Sequence, residues 1–113
     1  MLVHHPDYFC DIGTHVFPTR KFALVRERLL AEDPSLLIAE PEALPKEAAL
    51  LVHKRKYLAE LNGDEHTERT QASELPLSRQ IVNAYYLATA GTCLAAKLAL
   101  EHGGGMNLSG GFH

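Results

Sequence analysis

Residues 91–113 read GTCLAAKLALEHGGGMNLSGGFH, and this stretch decides the fold. Its first half continues a helix over about 79–102, the longest in the chain, with Ser78 as N-cap. Ile81, Val82, Tyr85, Tyr86, Leu87, Leu94, Leu98 and Leu100, with six alanines, make that helix apolar nearly all round. Such a helix is expected to be covered on most sides, with Cys93 as a small core residue. Gly103-Gly104-Gly105 ends it. These glycines follow a helix, whereas a phosphate loop follows a strand and opens a helix. They read as a C-cap and a tight turn. Met106-Asn107-Leu108 then looks like a short strand, and Ser109-Gly110-Gly111-Phe112-His113 places small residues just past its carboxyl end. Ligands of parallel α/β sheets bind there. Glycine lets backbone approach a substrate closely, and a histidine after it can do acid–base work.

Working back from this stretch, residues 62–76 (NGDEHTERTQASELP) are the longest polar run. Loops of that length in compact domains are functional or mobile. Helices are expected at about 46–52, with Pro45 at its start, and at about 54–61, with Tyr57, Leu58 and Leu61 inward. Leu36-Leu37-Ile38-Ala39 is a short apolar run typical of a buried strand. Thr19 is the expected N-cap of a helix over about 20–32, whose stripe is Phe22, Val25 and Leu29 with Arg20, Arg26 and Glu27 off it. Pro6, Gly13 and Pro18 punctuate a loop over 6–18, and Leu2 to His4 reads as a first strand. The order is β-α-β-α-α-α-β, which argues for a parallel sheet flanked by helices.

The chain has 113 residues, 46% of them hydrophobic, enough for one modest core and too apolar for a disordered tail. Eleven basic residues against 14 acidic ones give a net charge of −3. No basic stripe is present, so nucleic acid is not an expected partner. No apolar run reaches about 18 residues, so no membrane partner is expected. The start, MLVHHPDYF, lacks the pattern of a secretory signal, and two distant cysteines are no disulfide framework. A cytoplasmic setting is expected.

Seven histidines prompt a search for metal ligands. There is no HExxH and no zinc spacing of Cys and His. Neighbours on a strand point to opposite faces, so His4 and His5 do not share a metal. Asp64-Glu65-His66 reads as a solvated loop, and Asp7 and Asp11 as turn-formers.

With those residues read, a family resemblance emerges. Residues 91–113 resemble the histone deacetylase superfamily, most closely its class IV and short bacterial members. Their pattern is a Gly-Thr helix, a strand with Asn, then Gly-Gly, an apolar residue or Thr, and His-His-Ala. HVFPTRKFALVRERLL at 15–30 is similar to their first loop and helix. Leu51-Val52-His53, Tyr57 and Leu61 are similar to their L-V-H-x-x-x-Y-x-x-x-L segment, and Leu75-Pro76 to the end of their second rim loop.

The resemblance implies an arginase/deacetylase-like fold and a zinc-dependent hydrolase acting on acetyl-lysine protein or an acetylated small molecule. In the family zinc polarises the acetamide carbonyl and activates water, while tandem histidines manage protons. His113 matches the first histidine of that pair and is the candidate catalytic residue. His15, Phe17 and Pro18 would line the entrance tunnel, and Gly111 and Phe112 are further candidate substrate-binding residues. Glu74 lies near the acidic residue that holds the substrate backbone in many members. The family's zinc ligands lie later than its tandem histidines, so none is expected in this chain. The chain is therefore expected to be an N-terminal portion of such an enzyme, inactive alone and prone to self-association. The alternative is a non-catalytic module derived from the same fold that self-associates or binds a partner through an open sheet edge.

Overall fold

Three short strands, all parallel, sit at the centre: β1 (Leu2–Val3), β2 (Ile38–Ala39) and β3 (Met106–Asn107). The computed structural model describes residues 1–14 and 18–110. Strand order is β2-β1-β3, with Leu2 opposite both Ile38 and Met106. Flanking main-chain bonds lengthen the ladder: Leu2 N–H donates to Leu37 and His4 N–H to Ala39, while Met106 N–H donates to Met1 and Leu108 N–H to Val3. The chain is thus a mixed α/β structure with a small parallel sheet, as the alternation of apolar runs and helices predicts.

Helix α1 (Lys21–Glu32) links β1 to β2. A 3-10 turn (Lys46–Leu51), α2 (Arg55–Asn62), α3 (Glu68–Gln71) and α4 (Arg79–His102) link β2 to β3. The expected helix at 46–52 is therefore 3-10. Inside the polar run 62–76 lies α3, which the composition hides. Thr67 caps it reciprocally with Thr70: the Thr67 side chain takes the Thr70 N–H and the Thr70 side chain takes the Thr67 N–H.

Helix α4 is anchored at both ends by local chemistry. The Ser78 hydroxyl accepts the Ile81 N–H at 3.2 Å. Gly103, at φ 82, ends the helix in a left-handed conformation, with its N–H on the Ala99 carbonyl. Only one face of α4 is covered, contrary to the expectation from its composition. Ile81, Val82, Ala84, Leu87, Ala90, Gly91, Ala95 and Leu98 are buried. Leu100 is 90% exposed and Cys93 is exposed, not a core residue. A sheet of three short strands and one upstream loop cannot wrap a 24-residue helix.

The core is a strip along that face. Val3, fully buried, packs on Ala95 and Leu98. Tyr8 packs on Phe22 and Leu87. Cys10 packs on Ile81 and Ala84. As the chain runs from residue 3 to 10, its partners on α4 run backwards from 98 to 81. The helix is therefore antiparallel to the strands, and its N-terminus lies at their carboxyl end.

Two further expectations need correcting. Thr19 does not cap α1; Arg20 holds that position without a side-chain cap bond. Thr19 is buried, its hydroxyl donating to the Cys10 carbonyl at 2.7 Å and accepting the Cys10 N–H at 3.3 Å. It clasps the two ends of the loop between them. The α1 stripe is also narrower than expected. Phe22 is buried, but Val25 is 45% exposed, because α1 meets the core through the Phe22–Tyr8 contact near its first turn.

Candidate functional site

The carboxyl ends of β1 and β3 define the candidate site. The strand order β2-β1-β3 reverses direction between β1 and β3, and a doubly wound sheet opens its ligand crevice at such a point. Three segments meet at this end: residues 4–14 after β1, residues 108–110 after β3, and the start of α4.

After β1 the backbone enters a 3-10 turn (Pro6–Tyr8), capped by His5, whose Nδ1 accepts the Asp7 N–H at 3.0 Å. Proline at its first position favours the turn. Asp11 forms the expected turn through its Oδ1, which accepts the Gly13 N–H at 2.9 Å. Gln80 Oε1 accepts the Asp11 N–H at 3.2 Å and pins this loop to the start of α4.

The turn buries two titratable rings. His4 is 5% exposed, with its ring edge-on to Tyr8 at 5.6 Å. Burial holds its pKa below the usual histidine value, with Arg26 pushing the same way. Tyr8 is buried as well, and burial pushes its phenol up to about 12, against a smaller opposing pull from the Ser109 hydroxyl. The Tyr8 hydroxyl makes no hydrogen bond of good geometry among the described residues. Burial also raises the Cys10 thiol, so it is a neutral core group and not a nucleophile. A cavity of about 20 Å³ lies between Tyr8, Phe22, Tyr85, Ser109 and Gly110, room for one water.

After β3, Asn107 and the turn that follows lie against α4. Asn107 Nδ2 donates to the Ala88 carbonyl at 2.9 Å. Gly91 faces this contact: a methyl there would stand 2.0 Å from Tyr8 Oη and 2.9 Å from both terminal atoms of Asn107. The Gly-Thr pair in α4 and the Asn in β3 thus meet in space.

Of the candidate site residues, His15, Phe17, Gly111, Phe112 and His113 lie outside the described residues. Pro18 is exposed and heads the turn into α1, its carbonyl accepting the Lys21 N–H at 3.1 Å. Glu74 is exposed and sits in the left-handed region at φ 58, which a β-carbon makes unfavourable. Its N–H bonds to the Gln71 carbonyl at 3.0 Å, and the next residue, Leu75, is buried. Pro18 and Glu74 belong to separate segments, and the latter leads into α4 at the site end of the sheet.

The segment carrying Glu74 is braced from behind. Glu60 on α2 is buried and takes a two-pronged contact from Arg69 on α3, Arg69 Nε lying 3.1 Å from Glu60 Oε2 and Nη2 meeting Oε1. The Thr67 hydroxyl donates to the same carboxylate at 3.0 Å. The Arg69 hydrogen bonds hold the Glu60 carboxyl below its ordinary value of 4.5. A carboxylate depressed in the folded state stabilises above its unfolded pKa and loses that contribution as pH falls through the lower folded value. Acidification below 4.5 is therefore expected to release α3 from α2 before α4 opens. Hydrogen exchange would show Thr70 and Gln71 losing protection first, and Glu60→Gln would abolish the pH dependence. Protection of α3 persisting until global unfolding would contradict it.

A larger cavity lies elsewhere. It holds about 340 Å³ between the 46–51 turn, α2, residues 70–77 and α4, against Leu58, Leu61, Leu75 and Val82. Its size suits a small ligand, and its walls are mostly aliphatic and tyrosine side chains with the hydroxyls of Thr70, Ser73 and Thr89 and the imidazole of His53. The strand end is kept as the candidate site by its place at the switch point of the sheet.

No family model matches the chain. The chain is 38% identical, over 120 aligned positions, to an uncharacterized protein of Picosynechococcus sp., across 99% of this chain and 39% of that protein. It is 31% identical over 108 positions to Histone deacetylase 2 of Arabidopsis thaliana, across 88% of this chain and 28% of that protein. The chain thus spans well under half the length of these curated relatives. No helix among the described residues is long and apolar enough to cross a membrane.

Three features of the site are absent from any motif. The Thr19 clasp and the Glu60–Arg69 brace each join groups nine positions apart, outside the span of a helical turn, and the Gly91 hollow joins residues from both ends of the chain. Only the pairing of a helical glycine with a strand asparagine, which the resemblance contains, gave a signal.

Proposed function

We propose that this chain forms part of a zinc-dependent hydrolase of the histone deacetylase kind, cleaving an acetylated amine to acetate and free amine. The observation that supports this most is positional. Ser109 and Gly110 leave the carboxyl end of β3 at the β1/β3 switch point, and the sequence continues Gly111-Phe112-His113, in a chain whose identity to Histone deacetylase 2 is 31% across 88% of this chain.

In this reading His113 takes a proton from the attacking water and helps return one to the departing nitrogen. Water oxygen bonds to the acetyl carbon, the C–N bond breaks, and the amine leaves protonated. His15, Phe17, Pro18, Gly111 and Phe112 shape the channel, and Glu74 accepts a hydrogen bond from the substrate backbone. Among the described residues no three His, Cys, Asp or Glu side chains come together as a metal site. Those residues do not fit a resident zinc, so no step is assigned to the metal, whose ligands would come from elsewhere in the protein. The chain by itself is accordingly proposed to be inactive, and its setting cytoplasmic.

The test is acetate release. The whole protein that carries this sequence, supplied with zinc, is given acetyl-lysine peptides in one arm and small acetylated amines in another. Acetate formed in either arm, followed by proton NMR, supports the reading and separates its two substrate classes. No acetate in either arm sinks it.

A second reading, a self-associating module, is favoured by the exposure of Leu37, which precedes β2, and of Met106 in β3, the two outer strands of the sheet. Apolar side chains at open strand edges promote pairing between copies. Light scattering showing a monomer at all concentrations would exclude that reading.

A further inference from the structure

One side chain ties the end of β3 to α4. Asn107 Nδ2 donates to the Ala88 carbonyl at 2.9 Å and to Thr92 Oγ1 at 3.1 Å. Thr92 Oγ1 in turn donates to the same Ala88 carbonyl at 3.2 Å. On its other side, Asn107 Oδ1 accepts the Ser109 N–H at 3.4 Å, and the Asn107 main-chain carbonyl accepts the Gly110 N–H at 3.0 Å. One residue therefore holds the helix with its amide nitrogen and the following turn with its two oxygens. The hollow at Gly91 is what lets it approach, since any β-carbon there would collide with both Asn107 and Tyr8.

We propose that Asn107 is a positioning residue. It fixes the Ser109–Gly110 turn, the last described part of the chain before Gly111-Phe112-His113 in sequence, against α4. The catalytic half of this inference rests on the hydrolase reading; the structural half does not. Asn suits the task by hydrogen-bond polarity more than by size. An amide supplies two donors to the helix and an acceptor to the turn. Aspartate has the same shape but turns an acceptor oxygen toward the Ala88 carbonyl, which repels it, and can be met by Thr92 only if that hydroxyl gives up its own bond to Ala88.

The experiment uses Asn107→Asp, Thr92→Val and Thr92→Ser in the whole protein. Asn107→Asp is expected to lower kcat about 10²-fold, the usual result of misplacing a reacting group by about 1 Å, with KM little changed. Thr92→Val removes one acceptor at an exposed position and is expected to lower kcat about tenfold, while Thr92→Ser restores it. Hydrogen exchange at the Gly110 amide is expected to quicken in Asn107→Asp. A merely structural role would lower the amount of folded protein without altering kcat per folded molecule. Unchanged kcat in both Asn107→Asp and Thr92→Val overturns the positioning role. If Asn107→Asp does not fold, Thr92→Val and Thr92→Ser decide. Unchanged Gly110 exchange overturns the tie itself, whatever the activity. Inactivity of the unsubstituted protein instead overturns the hydrolase reading and the catalytic half with it.

Discussion

Replacing Gly105 by alanine is expected to destabilise the chain by about 3 kcal/mol, the upper end for forcing a methyl into a filled site. The added β-carbon would stand 2.2 Å from the Ala95 carbonyl oxygen, 3.0 Å from its carbonyl carbon and 3.2 Å from the Ala99 nitrogen. All three are main-chain atoms of α4, so no rotamer change relieves the clash. The backbone on the other side is equally fixed. Met106, the next residue, donates its N–H to the Met1 carbonyl at 3.1 Å and begins β3. Backing away from α4 would break the β1–β3 register and pull Asn107 off the helix. A loss of that size lowers the melting midpoint by roughly 10 °C in a domain this small. Gly104 provides the control. A methyl there meets nothing within 4 Å, so Gly104→Ala is expected to shift stability by about 0.5 kcal/mol or less. Thermal unfolding of the two variants side by side decides the matter, and equal midpoints would show that the turn into β3 is not tightly seated.

That contrast also marks where local sequence stops being informative. Ser78 and Gly103 announce the ends of α4 because a cap is made by residues within a few positions of each other. The strands are legible for the same reason: short apolar runs between helices have few places to go but a parallel sheet. Thr19, Cys93 and Val25 depart from the expectation because each depends on a partner beyond its own helical turn or on neighbours that the sheet does not supply. Thr19 looks like a cap by its place before a helix, yet the Cys10 main chain claims its hydroxyl. Cys93 and Leu100 lie on a helix whose composition suggests full burial, yet only one face has anything to pack against. The candidate site was half legible. Its location follows from the alternation of elements, and its proposed chemistry rests on the glycine–histidine run of the sequence alone. The reason for Gly91 could not be read there, since it depends on Tyr8 and Asn107 arriving from opposite ends of the chain.

The largest expected effect on function belongs to His113. In the hydrolase reading, His113→Gln lowers kcat by about 10²–10⁴-fold, the range for loss of a positioned proton-transfer group. That corresponds to roughly 3–5 kcal/mol of transition-state stabilisation. Glutamine keeps a polar side chain of similar reach but has no nitrogen that can gain and lose a proton near neutrality. KM should hardly move, because proton transfer is felt in the transition state and not in the bound ground state. Glu74→Gln makes the opposite split. A carboxylate that grips the substrate backbone contributes to binding in both states, so its neutralisation raises KM and leaves kcat nearly intact. The left-handed backbone at Glu74 favours this assignment, since strain in a non-glycine rim residue persists only where the surrounding structure holds it. Steady-state kinetics of the two variants on one acetylated substrate separates the roles. A kcat unaffected by His113→Gln would move proton handling to another residue. A Glu74→Gln variant that lost kcat at constant KM would place Glu74 in the chemistry and not at the rim.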